Sequence, residues 1–410
     1  MTSSSVTNDK LASVPDPGPE QVELYPCEGK VISVLDFLKA NQAKIQINEW
    51  SIIEKYLPTF PPLKEIPEPF CKCLTRSREL ATTSTPVLTV RRSGARSAFD
   101  PTTKLQLKGC RPVLHDETFP LDVLRFGAFQ ITRDKIPFGA MTDEAVLREI
   151  LGYCFVKKFE IPVQATPLAV TSYSRQGQQP LYGMLLQLQS EERLESHLEI
   201  PNCKVKDIIE AQIVPSLNPV DSVVGSEVRV LGVNLWPCIE SNARLLAKMH
   251  WHGGFRGILN SNFGNTVLVP SEKGSHTIAL ADFDTFSIHP VPQSDAPDQL
   301  DPFILQCLLE VVMGSLPILQ YIHLPSDCPL DQKADALGAV YFSKSSLWRS
   351  YYRNFLANSA DHGITIHAIV KSIEKMRRTA AFVEVLESRV LTGESVVQTE
   401  LRKQYCYSHN

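Results

Sequence analysis

KLQLKG at residues 104–109 and TDEAVLREILGYCFVKKF at residues 142–159 decide how the rest of the chain is read. In the first stretch Leu105 and Leu107 alternate with Gln106 and Lys108, the period of a half-buried strand. In the second, Val146, Leu147, Ile150, Leu151, Cys154 and Phe155 recur at helical spacing. Thr142 opens that helix, Asp143 and Glu144 suit its first turn, and Lys157 and Lys158 suit its last, where the helix dipole favours each charge. A strand that delivers a lysine is thus followed, 41 residues later, by a helix that carries Glu149 beside its apolar face.

Upstream, residues 86–108 read as β-rich, with PVLTV, a turn at 91–94, and then KLQLK. Residues 31–56 show amphipathic helical patterns (VISVLDFLKA, EWSIIEKYL), and TFPPLKEIPEPF is a proline-punctuated connector. Residues 1–25, rich in Ser, Pro and Asp, read as a disordered tail. Downstream, IPVQATPLAVTSYS and LYGMLLQLQ form a hairpin, and residues 191–198 form a short polar helix or linker. Ser241 is expected to cap a helix ending at Gly253-Gly254. TVLVP and TIALADF read as two short strands, and residues 298–390 as mostly helical.

The expected organisation is therefore a tail (1–25), a helical extension and linker (26–85), a β-rich lobe with one long helix (86–199), a helical lobe (200–400) and a short tail (401–410). The fold class is α+β, two-lobed, with a small β-rich N-lobe and a larger α-helical C-lobe.

Bulk properties narrow the function. The chain has 410 residues, 43% hydrophobic and 21% charged, enough to bury a sizeable core. A net charge of −4 with no basic run argues against nucleic acid as a partner. The longest apolar stretch, 302–324, carries Glu310 in its middle, which argues against a membrane span. Ten cysteines without a CxxC pair or a disulfide framework suit a reducing, intracellular and cytoplasmic setting. The polar N-terminus carries no apolar secretory segment.

Four features carry chemistry. Lys108, on a strand, is a rigidly placed point charge for a phosphate, although a lone strand lysine is usually solvated. Glu149 is placed to hold that ammonium, although a helical glutamate is usually exposed. RGILNSNFGNTVLV (256–269) holds Asn260, Asn262 and Asn265, more asparagines than a turn needs, and their amide oxygens suit a hard cation. IALADFDTF (278–286) ends a short apolar strand in Asp282, as a metal-binding Asp–Phe loop does, with Asp284 third in place of glycine. The HWH triplet at 250–252 lacks the i, i+4 spacing of a helical metal site.

LQLKGCRP (105–112) resembles the LQLKGAGRTP stretch of the selenoprotein O family, kinase-like proteins that move AMP from ATP onto protein hydroxyls. LREIL is similar to that family's IREFL helix, and GGFRGILNSN to its GFAHGVMNTDN loop; the resemblance spans about residues 104–290. It implies a protein-kinase-like fold that takes ATP and Mg2+, with a nucleotide and a protein substrate as partners. Lys108, Arg111 and Glu149 would bind the nucleotide, and Asp282 with Asn265 or Asn262 would hold the metal. Lys108, Glu149 and Asn262 would be the catalytic positions. Cys406 lies where relatives in that family often carry a Sec or Cys, and is read here as an exposed tail cysteine in preference to a redox-active one.

The chain also departs from that pattern. Arg256 replaces the loop histidine, Asn262 stands for the family's aspartate, and the Gly-rich segment before the lysine is missing. These losses leave two expectations: an ATP- and Mg2+-dependent transferase of AMP or phosphate, or a catalytically inactive binding module of the same fold.

Overall fold

Alternating apolar and polar residues build one eight-stranded antiparallel sheet, curled into a half-barrel. The computed structural model of the 410-residue chain describes residues 21–58, 62–93, 96–112, 139–174, 180–193, 236–257, 265–270, 276–293, 295–313 and 363–376, with two-residue strands at 118–119, 125–126, 129–130, 136–137, 229–230 and 233–234. The sheet order is β2 (Gly29–Ser33), β11 (Ala165–Tyr173), β12 (Leu181–Leu188), β6 (Leu105–Lys108), β5 (Ser97–Asp100), β4 (Leu88–Arg92), β1 (Gln21–Pro26) and β3 (Leu74–Thr75). Between β6 and β11, β7 (Thr118–Phe119) pairs with β10 (Ile136–Pro137), and β8 (Arg125–Phe126) with β9 (Phe129–Gln130).

Both faces of the sheet are covered. On one face Leu105, Leu107 and Leu185 pack with Leu24, Val90, Ile66 and Phe70, the last two from the segment before β3. On the other, Met184, Leu186 and Leu188 pack against helix α3 (Asp143–Lys158). Because side chains alternate along a strand, Leu105 and Leu107 on the first face place Gln106 and Lys108 on the second. β6 pairs Lys108 with Met184 and Gln106 with Leu186, so the lysine leaves the sheet beside α3.

α3 begins as its cap chemistry dictates: Thr142 accepts from the Ala145 amide at 3.1 Å. α1 (Val34–Ala40), capped by Ser33, and α2 (Ile47–Tyr56) lie in the same core, and α2 packs on α3. That core continues into α4 (Trp236–Trp251), α5 (Pro297–Met313) and α6 (Ile366–Met376). Three further strand pairings follow: β13 (Arg229–Val230) with β14 (Val233–Asn234), β15 (Gly254–Phe255) with β18 (Ser287–Ile288), and β16 (Thr266–Pro270) with β17 (His276–Leu280), while Arg193 makes an isolated bridge to Val267.

The 165–188 hairpin, the 266–280 strand pair and the helix from Thr142 agree with the sequence reading. Other elements correct it. Residues 21–25, assigned to a disordered tail, belong to β1, because Val22 and Leu24 alternate with polar neighbours and Leu24 is fully buried. The segment 26–85 is not only helical, since β2 and β3 come from it and Val31 and Ile32 favour extended backbone. α4 begins at Trp236, not at Ser241: Pro237 in a first turn lacks only an N–H that would have no helical partner. Residues 194–198, 314–362 and 377–390, read as helix or linker, lie outside the described residues, as does Cys406. Among the described residues no helix is long and apolar enough to cross a membrane.

The two-faced sheet makes its central strands sensitive to lost volume. Leu185→Ala on β12, at a position 1% exposed, is expected to cost about 2–5 kcal/mol. Denaturant unfolding checks this, and a cost under about 1 kcal/mol would contradict close packing on the Leu105–Leu107 face.

Candidate functional site

The ammonium of Lys108 meets two carboxylates at once: Glu149 Oε2 and Asp282 Oδ1, each at 2.7 Å. The lysine comes from β6, the glutamate from α3, and the aspartate from the turn that follows β17. Lys108 and Glu149 are buried, and the three line a cleft with Arg96, Gln106, Tyr153, Gln164, Arg193 and Phe283.

Local backbone structure aims each group. Asp282 has φ 61°, a left-handed conformation that few non-glycine residues adopt and that Asp tolerates better than most. This conformation turns the chain sharply between Ala281 and Phe283. The amide of Phe283 then donates to Glu149 Oε2 at 2.9 Å, so one carboxylate oxygen serves both the lysine and the loop. Gly152 lies one turn along α3 from Glu149, on the same face. A Cβ there would come within 2.5 Å of the Phe283 Cβ, so the missing side chain lets the loop seat against the helix.

A second layer fixes the loop from behind. Glu310 on α5 is fully buried and accepts from the Gly257 amide at 2.7 Å and the Arg256 amide at 3.3 Å, with His250 Nε2 at 2.9 Å. The Arg256 guanidinium, also fully buried, donates to the carbonyls of Asn265 (2.8 Å) and Ala281. The Ala281 amide in turn donates to the Asn265 carbonyl at 2.9 Å. Asn265 and Asp282 are thereby tied through one residue of backbone. The Asn265 side-chain oxygen accepts from Arg193 at 3.2 Å.

The electrostatics follow from burial. Burial opposes the Lys108 charge, but Asp282 and Glu149 outweigh it and hold the ammonium above its usual pKa. Burial raises the Glu149 carboxyl, and Lys108 draws it only part of the way back. Burial also works against the Arg96 charge, yet Asp284 and Asp282 dominate and raise it. Arg256 is pushed down to about 10 by burial, with Glu310 opposing. At 2.7 Å and an effective dielectric near 20, each Lys108 contact is worth roughly 6 kcal/mol of attraction. Desolvation costs several kcal/mol per buried ion, so such a cluster adds little net stability despite its short contacts.

Five of the expected site residues lie among the described ones. Lys108, Glu149 and Asp282 converge, and Asn265 stands behind Asp282. Arg111 is half-buried, its amide bonded to the Gly139 carbonyl at 3.0 Å, and it is not among the described residues lining the cleft. Asn262 lies outside the described residues, as does Asn260. Sequence reasoning missed Arg96, whose guanidinium contacts Asp284 and lies 3.9 Å from Asp282. It also missed the roles of Arg256 and Glu310. The third-position Asp284 was a usable signal, since a buried carboxylate calls for a cation.

No family model matches the chain, and no curated protein does. Among solved structures it is similar to WaaP in complex with acyl carrier protein, at 13% identity and a TM-score of 0.28, over 56% of this chain and 75% of that one.

Lys108→Ala would leave the Glu149 and Asp282 carboxylates without their shared cation. Removing one partner of a buried pair costs about 3–5 kcal/mol at pH 7. The Glu149 pKa is raised in the folded state, so the proton stabilises the fold, and that stability is lost as pH rises through the folded value. Without Lys108 the carboxyl rises further, and the cost of the substitution shrinks as pH falls from 7 towards 5. Unfolding curves at both pH values test this, and a cost independent of pH would remove Lys108 as the counter-charge.

Proposed function

We propose that the chain is a kinase-like, ATP- and Mg2+-dependent transferase that moves AMP or phosphate onto a hydroxyl of a protein or small molecule. The observation that carries this reading is the Lys108 ammonium held between Glu149 and Asp282 at 2.7 Å each, inside a cleft. In this reading residues 86–199 form the nucleotide-binding lobe, and 200–400 the lobe that bears the metal loop. Glu149 orients Lys108, and Lys108 neutralises phosphate charge while it shields Glu149 from Asp282. Asp282 and Asn265 offer oxygen donors, the ligand type that Mg2+ takes. Bound Mg-ATP would supply the electrophilic phosphorus. In such transfers most of the catalysis is positioning and charge stabilisation, and a rigid three-element cluster supplies both.

A second reading, a nucleotide-binding protein without transfer activity, has its own support. Arg256 occupies the place of the family's loop histidine, and its guanidinium is turned to the backbone of residues 265 and 281. Its Nε and Nη1 atoms have no hydrogen-bond partner among the described residues, and it braces the loops behind the cleft.

Binding and transfer separate the two readings. Mg-ATP affinity, measured by calorimetry, is expected to fall at least tenfold in Lys108→Ala, with Asp282→Asn as a near-isosteric second variant. Equal affinity in both variants and the wild type would refute the site. Incubation with α- or γ-labelled ATP then distinguishes AMP transfer from phosphate transfer. Label incorporated by the wild type and lost in Asp282→Asn excludes the inactive reading.

A further inference from the structure

Outside the cleft, two thiols face one another where the first and third strands meet. β1 and β3 pair antiparallel, with Tyr25 opposite Thr75 and Pro26 opposite Leu74. One step further the register sets Cys27 opposite Cys73, and the Cys27 amide donates to the Cys73 carbonyl at 3.0 Å. Their sulfurs are 3.2 Å apart. Cys27 is half-buried, while Cys73 is 6% exposed and packs with Ala140, Tyr173 and Leu181. The Cys73 sulfur is enclosed on its far side as well. The carbonyls of Glu28 and Ser172 lie at 3.9 Å, and a Cβ on Gly29 would stand 2.6 Å from it. Closing to the roughly 2.04 Å of a disulfide needs about 1.2 Å of travel between side chains that the ladder already sets opposite each other.

We propose that Cys27 and Cys73 are a reversible dithiol–disulfide site that takes a small disulfide, of the glutathione disulfide class, as its oxidant. The order of reaction follows from exposure. The Cys27 thiolate attacks one sulfur of the small disulfide, forming a mixed disulfide and releasing one thiolate. Cys73 then loses its proton to solvent and attacks the Cys27 sulfur, expelling the second small thiolate. Two protein thiols become one disulfide, and one small disulfide becomes two thiols. In the reduced protein the hydrogen bond to Cys27, then burial, hold the Cys73 proton in place. Capping Cys27 removes the first of these restraints, so the buried thiol becomes the resolving group once the exposed one has reacted. Cys71, exposed two residues away, lacks a facing sulfur among the described residues. The bond would tie residue 27 to residue 73 and close the segment that carries α1 and α2.

The full chain is equilibrated in mixtures of reduced and oxidised glutathione, alkylated under denaturing conditions, and mapped by mass spectrometry. The expected product is a linked 27–73 peptide, with a chain two hydrogens lighter, Cys71 alkylated, and full reversal by dithiothreitol. Cys73→Ser should accumulate Cys27 as a mixed disulfide with glutathione, and Cys27→Ser should leave Cys73 unmodified. Alkylation of both Cys27 and Cys73 in oxidised glutathione alone would overturn the proposal, as would a link through Cys71. A Cys73→Ser protein that captures no glutathione at Cys27 would overturn the assigned order.

Discussion

A buried ammonium shared by two carboxylates is the constraint around which this molecule is arranged. Glu149 and Asp282 converge on one point from a helix and a turn, and without a cation there they would repel. Lys108 can serve both because it leaves a central strand, whose hydrogen bonds on two sides leave little freedom of position. The cluster therefore records the relative placement of three elements distant along the chain. A shift of any one would strand a charge in a low-dielectric interior, where the penalty is several kcal/mol.

The surroundings are built to the same tolerance. Glu310 and Arg256 are both fully buried and hydrogen-bond to backbone, so they act as fixed struts for the loops at 256–257, 265 and 281. Phe283 presses on a helix position that has no side chain. The Arg96–Asp284 contact spans from the residue just before β5 to the same loop, and adds a further cation to the cleft lining. Local distortion at Asp282 is held by these contacts on every side, which is how a left-handed non-glycine residue persists.

Much of this was legible in the sequence, and the reasons are specific. Lys108 and Glu149 stood out because the period-2 and period-3.6 patterns around them are clean, so the face each occupies follows from counting. Asp282 stood out because it ends an apolar strand and follows the asparagine loop with a strand pair between them. Arg96 did not, because it lies in a polar turn whose long-range partner, 188 residues on, leaves no local trace. Glu310 was noticed only as a charge in an apolar run. Its partners are backbone amides and a histidine from distant segments, and amides carry no side-chain signature. β1 was lost to composition, because proline and serine just before it mask a four-residue alternation. The pair Cys27 and Cys73 was invisible for a similar reason: strand register, not spacing, brings them together.

The strands β1 and β3 also close one edge of the sheet. They cover one flank of the central strands with Leu24, Leu74 and the segment bearing Ile66 and Phe70. A proteolytic fragment or a product of a later start site that began after residue 85 would retain all three members of the ion cluster. It would also bare an apolar flank and leave β4 as an unsatisfied edge, the kind of surface that recruits other chains into aggregates. Residues 21–85 are thus a structural part of the sheet and its core, and their loss would expose apolar surface while leaving the ion cluster's own residues in the chain.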